Sequence, residues 1–448
     1  MDEKKLVEEI VSSAQRQGVE VEAYVRVGRE TQIQVDQGKV EKLSHATNKG
    51  LGVRILRDGR EGYAYTSDFS PESVTRTWKS ALELANVVDE DEFRKLPVLE
   101  KVPEDDLEIH DPVIAATSIE EKIKFALDVE RAALGFDKRV VLTNRCSYID
   151  HDYQVYLANS NGFSAGYDHS VAVSFLIAIG RDEDDTATGL GFGVSTFASD
   201  LNSEAIGREA GSNAVRLLAG KPVPTQQGTV VFSPQVAAQL IAFLAQALTA
   251  DAMQKGRTFL LDKMGETIAS DNVSVVDNGL LPRGLGTAPF DGEGVPRRAT
   301  RLIDEGILQA VLHDSYTARK DGVSSTGNAA RASHRQPAVL APSNFYLQPG
   351  NLAAEDIIAN VDKGLYVLNT MSVGGINPTS GDYSAAARGI WIENGELKTP
   401  VNEVTIAAPM SKMLKNISAV GEDLRILPTM GAIGSPTIRI DGMMIGGK

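Results

Sequence analysis

The sequence predicts an α+β protein in which N-terminal mixed α/β segments precede a mainly antiparallel β C-terminal domain built around a central buried helix. Three observations carry that expectation. Apolar residues recur with period two through much of the first half, many short strand-turn-strand units fill the second, and one stretch from Pro234 to Gln254, PQVAAQLIAFLAQALTADAMQ, is rich in Ala and Leu. At 448 residues, 42% of them hydrophobic and 23% charged, the chain is a soluble globular type too long for one small core, so two or three domains are expected.

The first segment, 1–100, reads as an α+β domain. Leu6, Ile10 and Val11 share one face of a short helix that Gly18 ends. Val19, Val21, Ala23, Val25 and Val27 then alternate, as do Ile33 and Val35, and the turn sequence DQGK makes a hairpin with the run from Val40. Gly50, Gly52, Gly59 and Gly62 punctuate further strands, and Ser70-Pro71-Glu72 opens a helix toward Val88 with Ser70 as N-cap. The acidic, proline-bearing stretch from Asp89 to Pro112 reads as a linker.

A middle α+β segment, 112–219, follows: a helix from Ser118 to Leu134, strands around Val140 to Ile149, Gln154 to Asn159 and Val171 to Ile179, and a helix from Ser203 to Leu218. Gly189, Gly191 and Gly193 fall in a further strand, and Gly220-Lys221-Pro222-Val223-Pro224 marks the second boundary. The C-terminal domain, 225–448, opens with the strand Val230 to Phe232 and the helix 234–254. Asp304-Glu305-Gly306 and Glu393-Asn394-Gly395 each separate two apolar runs and predict hairpins.

Composition excludes several functions. The lone Cys146 makes no intrachain disulfide, and with the polar start MDEKKLVEEI it points to a reducing cytoplasmic setting without a signal peptide. Gln239, Gln246, Thr249 and Asp251 interrupt the most apolar run, which is therefore a core helix and not a bilayer span. A net charge of -15 without a dense basic run argues against direct nucleic-acid binding.

Apparent catalytic motifs lack their context. Gly162-Phe163-Ser164-Ala165-Gly166 matches the serine-hydrolase elbow, but a turn precedes it and a strand follows, so it reads as a hairpin. Gly322 to Gly327 begins like a phosphate loop and then continues with Asn328 and Ala329 in place of Lys and Ser or Thr. His313, Asp314 and His334 form the one conceivable metal set, since no zinc signature occurs. The polar segment HDSYTARKDGVSSTGNAARASH is the best candidate binding surface, with His313, Asp314, Tyr316, Arg319, Asn328 and Arg331 as the substrate-binding residues. A solvated loop with surface ion pairs is the competing reading.

Several blocks then resemble the TldD/PmbA family of intracellular metallopeptidases: DGEGVP at 291–296, DSYTARK at 314–320, STGNA at 325–329, GDYS at 381–384, ARG at 387–389, IENGE at 392–396 and IGSPT at 433–437. The resemblance implies two branches that assemble as a pair. A TldD-like branch carries an H-E-x-x-x-H helix and a C-terminal cysteine as zinc ligands, and a PmbA-like branch, also called TldE, lacks them. Aligned through Val230 to Pro234, this chain places Ala242 and Ala247 at the histidines and Phe243 at the glutamate, and reads VGEDLRILP where the cysteine would stand. These residues predict a former site packed with apolar side chains.

The resemblance thus implies a cytoplasmic, non-metallated subunit that shapes a chamber and binds peptide, with no catalytic residue and no metal of its own. Zinc is expected in a TldD-like partner, as a heterodimer, with a homodimer as the other assembly. Two alternatives are a hydrolase using His313, Asp314 and His334 as unorthodox ligands, and a non-catalytic homodimeric peptide-binding scaffold. The family's older description as a modulator of DNA gyrase implies a DNA role, which the acidic charge makes indirect.

Overall fold

The computed structural model describes residues 3–371, 377–428 and 431–447. Its first sheet has the order β3-β2-β1-β4-β5-β6, formed by Glu20–Asp36 (β1), Lys39–Arg57 (β2), Arg60–Thr66 (β3), Val140–Asn159 (β4), Ser164–Asp182 (β5) and Asp185–Ser195 (β6). The runs read separately as 19–27 and 33–35 are one strand, β1, and those read as 140–149 and 154–159 are one strand, β4. Because β1 pairs with β4 from Glu22↔Asn159 to Val35↔Cys146, the first and middle segments share one continuous sheet.

Period-two alternation along β1 decides what each face meets. Val21, Ala23, Val25, Ile33 and Val35 are buried on the face covered by Glu3–Gln15 (α1), Pro71–Ala85 (α2), Pro112–Ala116 (α3), Ile119–Leu134 (α4) and Ser203–Arg216 (α5). Ser70 caps α2 through the Ser73 N–H, as its sequence predicts. The opposite face carries Glu22, Tyr24, Arg26 and Gly28, and there the sheet meets the C-terminal domain: Tyr24, Val155, Leu157 and Phe163 pack with Phe290.

In the C-terminal half, Gln226–Phe232 (β7), Lys363–Met371 (β14), Asp382–Glu393 (β15), Glu396–Pro409 (β16) and Ile438–Gly446 (β20) form a closed barrel, because β16 pairs with both β15 and β20. Ile417–Val420 (β17) extends it. A further sheet has the order β10-β9-β8-β13-β19-β18, from Val275–Asn278 (β8), Ala299–Asp304 (β9), Ile307–Leu308 (β10), Asn344–Leu347 (β13), Arg425–Leu427 (β18) and Ala432–Ser435 (β19). Ala329–Ala330 (β11) and Val339–Leu340 (β12) make a small separate ladder. Pairing is antiparallel except for β13 with β19 and β14 with β7. The α+β class stands, with a barrel at its centre.

Both hairpins read from the turns are present: Glu305 and Gly306 have φ of 45° and 80°, and Asn394 and Gly395 52° and 76°. The GFSAG segment is the β4–β5 hairpin, and Ser164 donates to Glu8 Oε1 at 2.7 Å. The helix expected over 234–254 is two: Pro234–Ala247 (α6) ends at Leu248, and Thr249 caps a new helix, Ala250–Gln254 (α7), by accepting from the Ala252 N–H. The Leu312 N–H donates to the Leu248 carbonyl and the Ala250 N–H to the Leu312 carbonyl, so tertiary bonds take over where the helical ladder stops.

The stretch 89–112, expected to stay out of any core, is instead a strap along the C-terminal domain. It buries Leu96, Leu107 and Ile109, and the Arg283 N–H donates to the Leu107 carbonyl. No helix among the described residues is long and apolar enough to cross a membrane.

The glycines of β6 permit α5 to lie directly on the sheet. A Cβ at Gly191 would stand 2.1 Å from the Ile206 carbonyl oxygen and one at Gly189 2.2 Å from that of Ala210. Gly191→Ala is therefore expected to lose about 1–3 kcal/mol of stability, or more, by displacing helix backbone. Gly446→Ala, whose Cβ would meet Thr405 no closer than 3.6 Å, should change little; thermal denaturation of the two variants checks this.

Candidate functional site

The seam between the first sheet and the C-terminal domain holds most of the chemistry-bearing side chains. At its centre Arg54, on β2 opposite Glu22 of β1, bonds Glu22 and Glu293 at 3.0 Å each and approaches Glu61 at 3.8 Å. Arg331 takes the second oxygen of Glu22, donates from Nε to the Gly292 carbonyl at 2.8 Å and lies over the Tyr24 ring. Glu293 Oε2 accepts the Ser315 N–H at 3.0 Å, which ties the network to the helix Ser315–Asp321 (α8). Burial alone would raise Glu293, but the Arg54 guanidinium and the Ser315 N–H hold it below its ordinary value.

Asp291, two residues before Glu293, is fully buried and accepts the N–H groups of Glu293, Val295 and Ala329. Burial, with the Glu293 charge beside it, pushes its carboxyl up to about 7. Asp277 plays a similar role nearby, accepting from Ser343 N–H, Ser343 Oγ and Asn328 Nδ2, and burial raises it too.

These contacts locate every residue expected to bind substrate. Asn328 is 1% exposed and fixes Asp277, and the Arg331 side chain is 2% exposed, locked between Glu22 and Gly292. His313 is buried, with Nδ1 on the Val311 carbonyl and Nε2 on Asp321 at 3.0 Å. His313, Asn328 and Arg331 are thus built into the seam, while Lys320 to Ser324 of the same segment are exposed. Tyr316 donates to Asp91 at 2.7 Å, and Arg319 to the carbonyls of Phe93 and Leu96, so α8 is strapped to 91–96.

Asp314, Tyr316 and Arg319 nevertheless line a common cleft of about 540 Å³, together with Arg94, Lys95, Asp251 and Lys255. The ring of Tyr316 carries Arg94 on one contact and Lys320 on another, at 4.8 and 5.3 Å. His313, Asn328 and Arg331 lie outside its lining. Glu22 and Arg54 escaped sequence reasoning because charged residues in alternating strands read as solvent-facing, and Glu293 because it lies in a turn, where a carboxylate reads the same way.

The alternative metal set does not assemble. Asp314 accepts the Thr317 N–H as the N-cap of α8, while the His334 ring sits on the first sheet with Nε2 at 3.3 Å from Ser67 Oγ. Among the described residues no group of three or more His, Cys, Asp or Glu side chains converges. On α6, Ala242 and Ala247 are buried in the largest apolar cluster and Phe243 is half-buried, so the residues present there do not fit a zinc ion.

Two outcomes follow from the seam. Arg54→Met leaves Glu293 without its cation in the interior and Glu22 with Arg331 alone, and should cost about 3–5 kcal/mol in denaturant unfolding. Asp291 is held protonated in the fold above its unfolded value, so its contribution to stability is full at low pH and declines as pH rises from about 4 toward 7. Asp291→Asn removes that term, and its loss relative to wild type should be larger at pH 5 than at pH 8 in paired urea titrations.

Comparison with known proteins agrees with this architecture. Models of the PmbA/TldA metallopeptidase domain 1, central domain and C-terminal domain match residues 21–85, 112–218 and 225–447. The chain is 31% identical to metalloprotease PmbA of Escherichia coli O157:H7 over 449 residues, covering 98% of this chain and 97% of that protein. A metalloprotease TldD homolog of Buchnera aphidicola is 25% identical, over 91% of this chain and 88% of its own. A Bacteroides thetaiotaomicron structure described as a candidate modulator of DNA gyrase superimposes with a TM-score of 0.89 at 27% identity over the whole of both chains. TldE from Thermococcus kodakarensis shares the fold, with a TM-score of 0.92 at 23% identity over 99% of this chain and all of that one. With three domain models matched in order along its length and a full-length relative at 31% identity, the chain belongs to the PmbA/TldD metallopeptidase family.

Proposed function

We propose that this chain is the non-metallated, PmbA-like subunit of a cytoplasmic PmbA/TldD-type peptidase, pairing with a zinc-bearing TldD-like subunit. The observation that carries the reading is α6. Where the resemblance puts two histidines and a glutamate, the helix has Ala242, Ala247 and Phe243, and both alanines lie in the apolar core. An alanine methyl neither coordinates a metal nor moves a proton, and hydrolysis by a metal-activated water needs both functions.

What this subunit contributes is binding and shape. The cleft of about 540 Å³ presents the Tyr316 ring between two cations, with Asp314 and Arg319 beside it, in a volume suited to a short peptide segment. Guanidinium and ammonium groups there would receive backbone carbonyls or a terminal carboxylate, while Asp251 and Asp314 would receive N–H groups. The polar bonds of Tyr316 and Arg319 to the 91–96 strap hold both side chains in place before any peptide arrives.

The purified chain alone should hydrolyse no peptide, with or without added zinc. Mixing it with a TldD-like subunit should give activity that a chelator removes and zinc restores. Tyr316→Ala in this chain should then raise KM several-fold with kcat much less affected, since it removes binding surface and no reacting group. Absence of any gain on mixing, or peptide binding indifferent to the partner, would overturn the proposal.

A further inference from the structure

A second polar recess lies further along the same face of the first sheet. Its floor is built from three strands in register: Arg26, Gly28 and Glu30 of β1, Asn48 of β2, and His151 and Tyr153 of β4, with Gly28 paired to both Asn48 and Tyr153. Its far wall is the loop Ala332–Arg335, which reaches over from the C-terminal domain. The recess encloses about 360 Å³.

Missing side chains let the wall of the recess close onto the sheet. A Cβ at Gly28 would stand 2.4 Å from the Tyr153 Cβ, and one at Gly50 2.1 Å from the His334 imidazole. A Cβ at Gly52 would meet the Tyr63 hydroxyl at 2.0 Å and the His334 carbonyl oxygen at 2.7 Å, which are themselves hydrogen-bonded at 2.7 Å. Glycines on neighbouring strands thus let the loop seat its histidine flat against the sheet and hold Arg335 at the rim.

The lining carries Arg26, Arg29, Lys49 and Arg335 against one carboxylate, Glu30, in a chain whose net charge is -15. Arg29 is paired with Asp152 at 3.2 Å, and Glu30 accepts from Asn48 Nδ2 at 3.4 Å and lies 4.0 Å from His151 Nδ1. Arg26 stacks its guanidinium 3.8 Å from the Tyr153 ring centroid, and among the described residues no carboxylate forms an ion pair with it or with Arg335; Lys49, paired with Val27, turns its ammonium to the Phe69 ring at 4.9 Å on the other face of the sheet. Arg26 is half-buried, so an uncompensated charge there is costly unless something else answers it. Burial holds His151 and His334 below their ordinary values, and the field of Arg26 adds to that effect in both.

We propose that this recess is a binding site for a small dianionic ligand bearing phosphate or paired carboxylates. Arg26 and Arg335 would grip its oxygens from floor and rim, and Ser67 and Ser333 would donate hydroxyls. A recess of this volume admits a small molecule and excludes a duplex. The site is separate from the peptide cleft, whose lining shares none of these residues, and it stands whether or not the chain acts as a peptidase subunit.

The test is titration of the full-length protein with pyrophosphate and with citrate at constant ionic strength, read by calorimetry and by thermal shift, with sodium chloride as control. Saturable binding is expected for at least one of the two, weakened roughly tenfold or more in Arg335→Gln. The replaced side chain is exposed, so the variant should unfold at the wild-type temperature without ligand. Arg26→Gln should abolish binding. Preference for pyrophosphate assigns the site to phosphate and preference for citrate to carboxylates. Binding of neither, or binding unchanged in the folded Arg335→Gln variant, would overturn the site.

Discussion

Arg54 is the point on which the architecture turns. Its guanidinium joins Glu22 and Glu61 of the first sheet to Glu293 of the C-terminal domain, and Glu293 in turn holds the start of α8 through the Ser315 N–H. Arg331 approaches the same Glu22 from the opposite side. Each charge removed from water here is answered by at least one opposite charge, and Arg331 and Glu293 by backbone groups as well, while Arg54 Nε stays without a hydrogen-bond partner. Such a network adds little stability over an apolar interface of equal size. Its strength is in geometry, since guanidinium-carboxylate pairs tolerate few relative placements of the two surfaces.

That constraint also sets what lies on either side of it. Glu22, Tyr24, Arg26 and Gly28 stand on one face of β1, so a single strand supplies the ion network, an aromatic contact, the cationic floor and the gap for Tyr153 within seven residues. On the other side of Arg54, α8 and the 91–96 strap carry Tyr316 and Arg319 into the cleft of about 540 Å³. A shift between sheet and C-terminal domain would change the cleft and the recess together. The shape of both is a consequence of docking, not of local folding in either part.

This explains how much the amino-acid sequence disclosed. Val21, Ala23 and Val25 announced a strand with one apolar face, and Asn394-Gly395 a hairpin, because those signals depend on neighbours in the chain. Ser70 capped its helix for the same local reason. Glu22 and Arg54 were silent, since a polar strand position has one appearance whether it faces water or a buried partner 239 residues away, as Glu293 is from Arg54. The strap misled similarly: its acids and prolines suit an exposed linker, yet Leu96, Leu107 and Ile109 find an apolar surface supplied from elsewhere. Asp314, Tyr316 and Arg319 were legible as polar residues in one segment, but their orientation depended on Asp91, Phe93 and Leu96, remote in sequence.

The central helix shows how apolar residues pack where the family resemblance expects metal ligands. A ligand-bearing helix must point histidines toward the metal, and that stripe need not pack closely on apolar neighbours. Here Ala242 and Ala247 occupy those positions and join a cluster that spans the barrel residues Val230, Leu365 and Ile406 and the sheet residues Val275 and Phe345. α6 acts as a spacer between barrel and sheet, and small side chains allow both to approach it closely. Two imidazoles at these positions would force large polar groups into that packing before any zinc could bind, at the cost of overpacking and unsatisfied ring nitrogens. The close packing of α6 and the methyl groups of Ala242 and Ala247 are therefore one feature of the core.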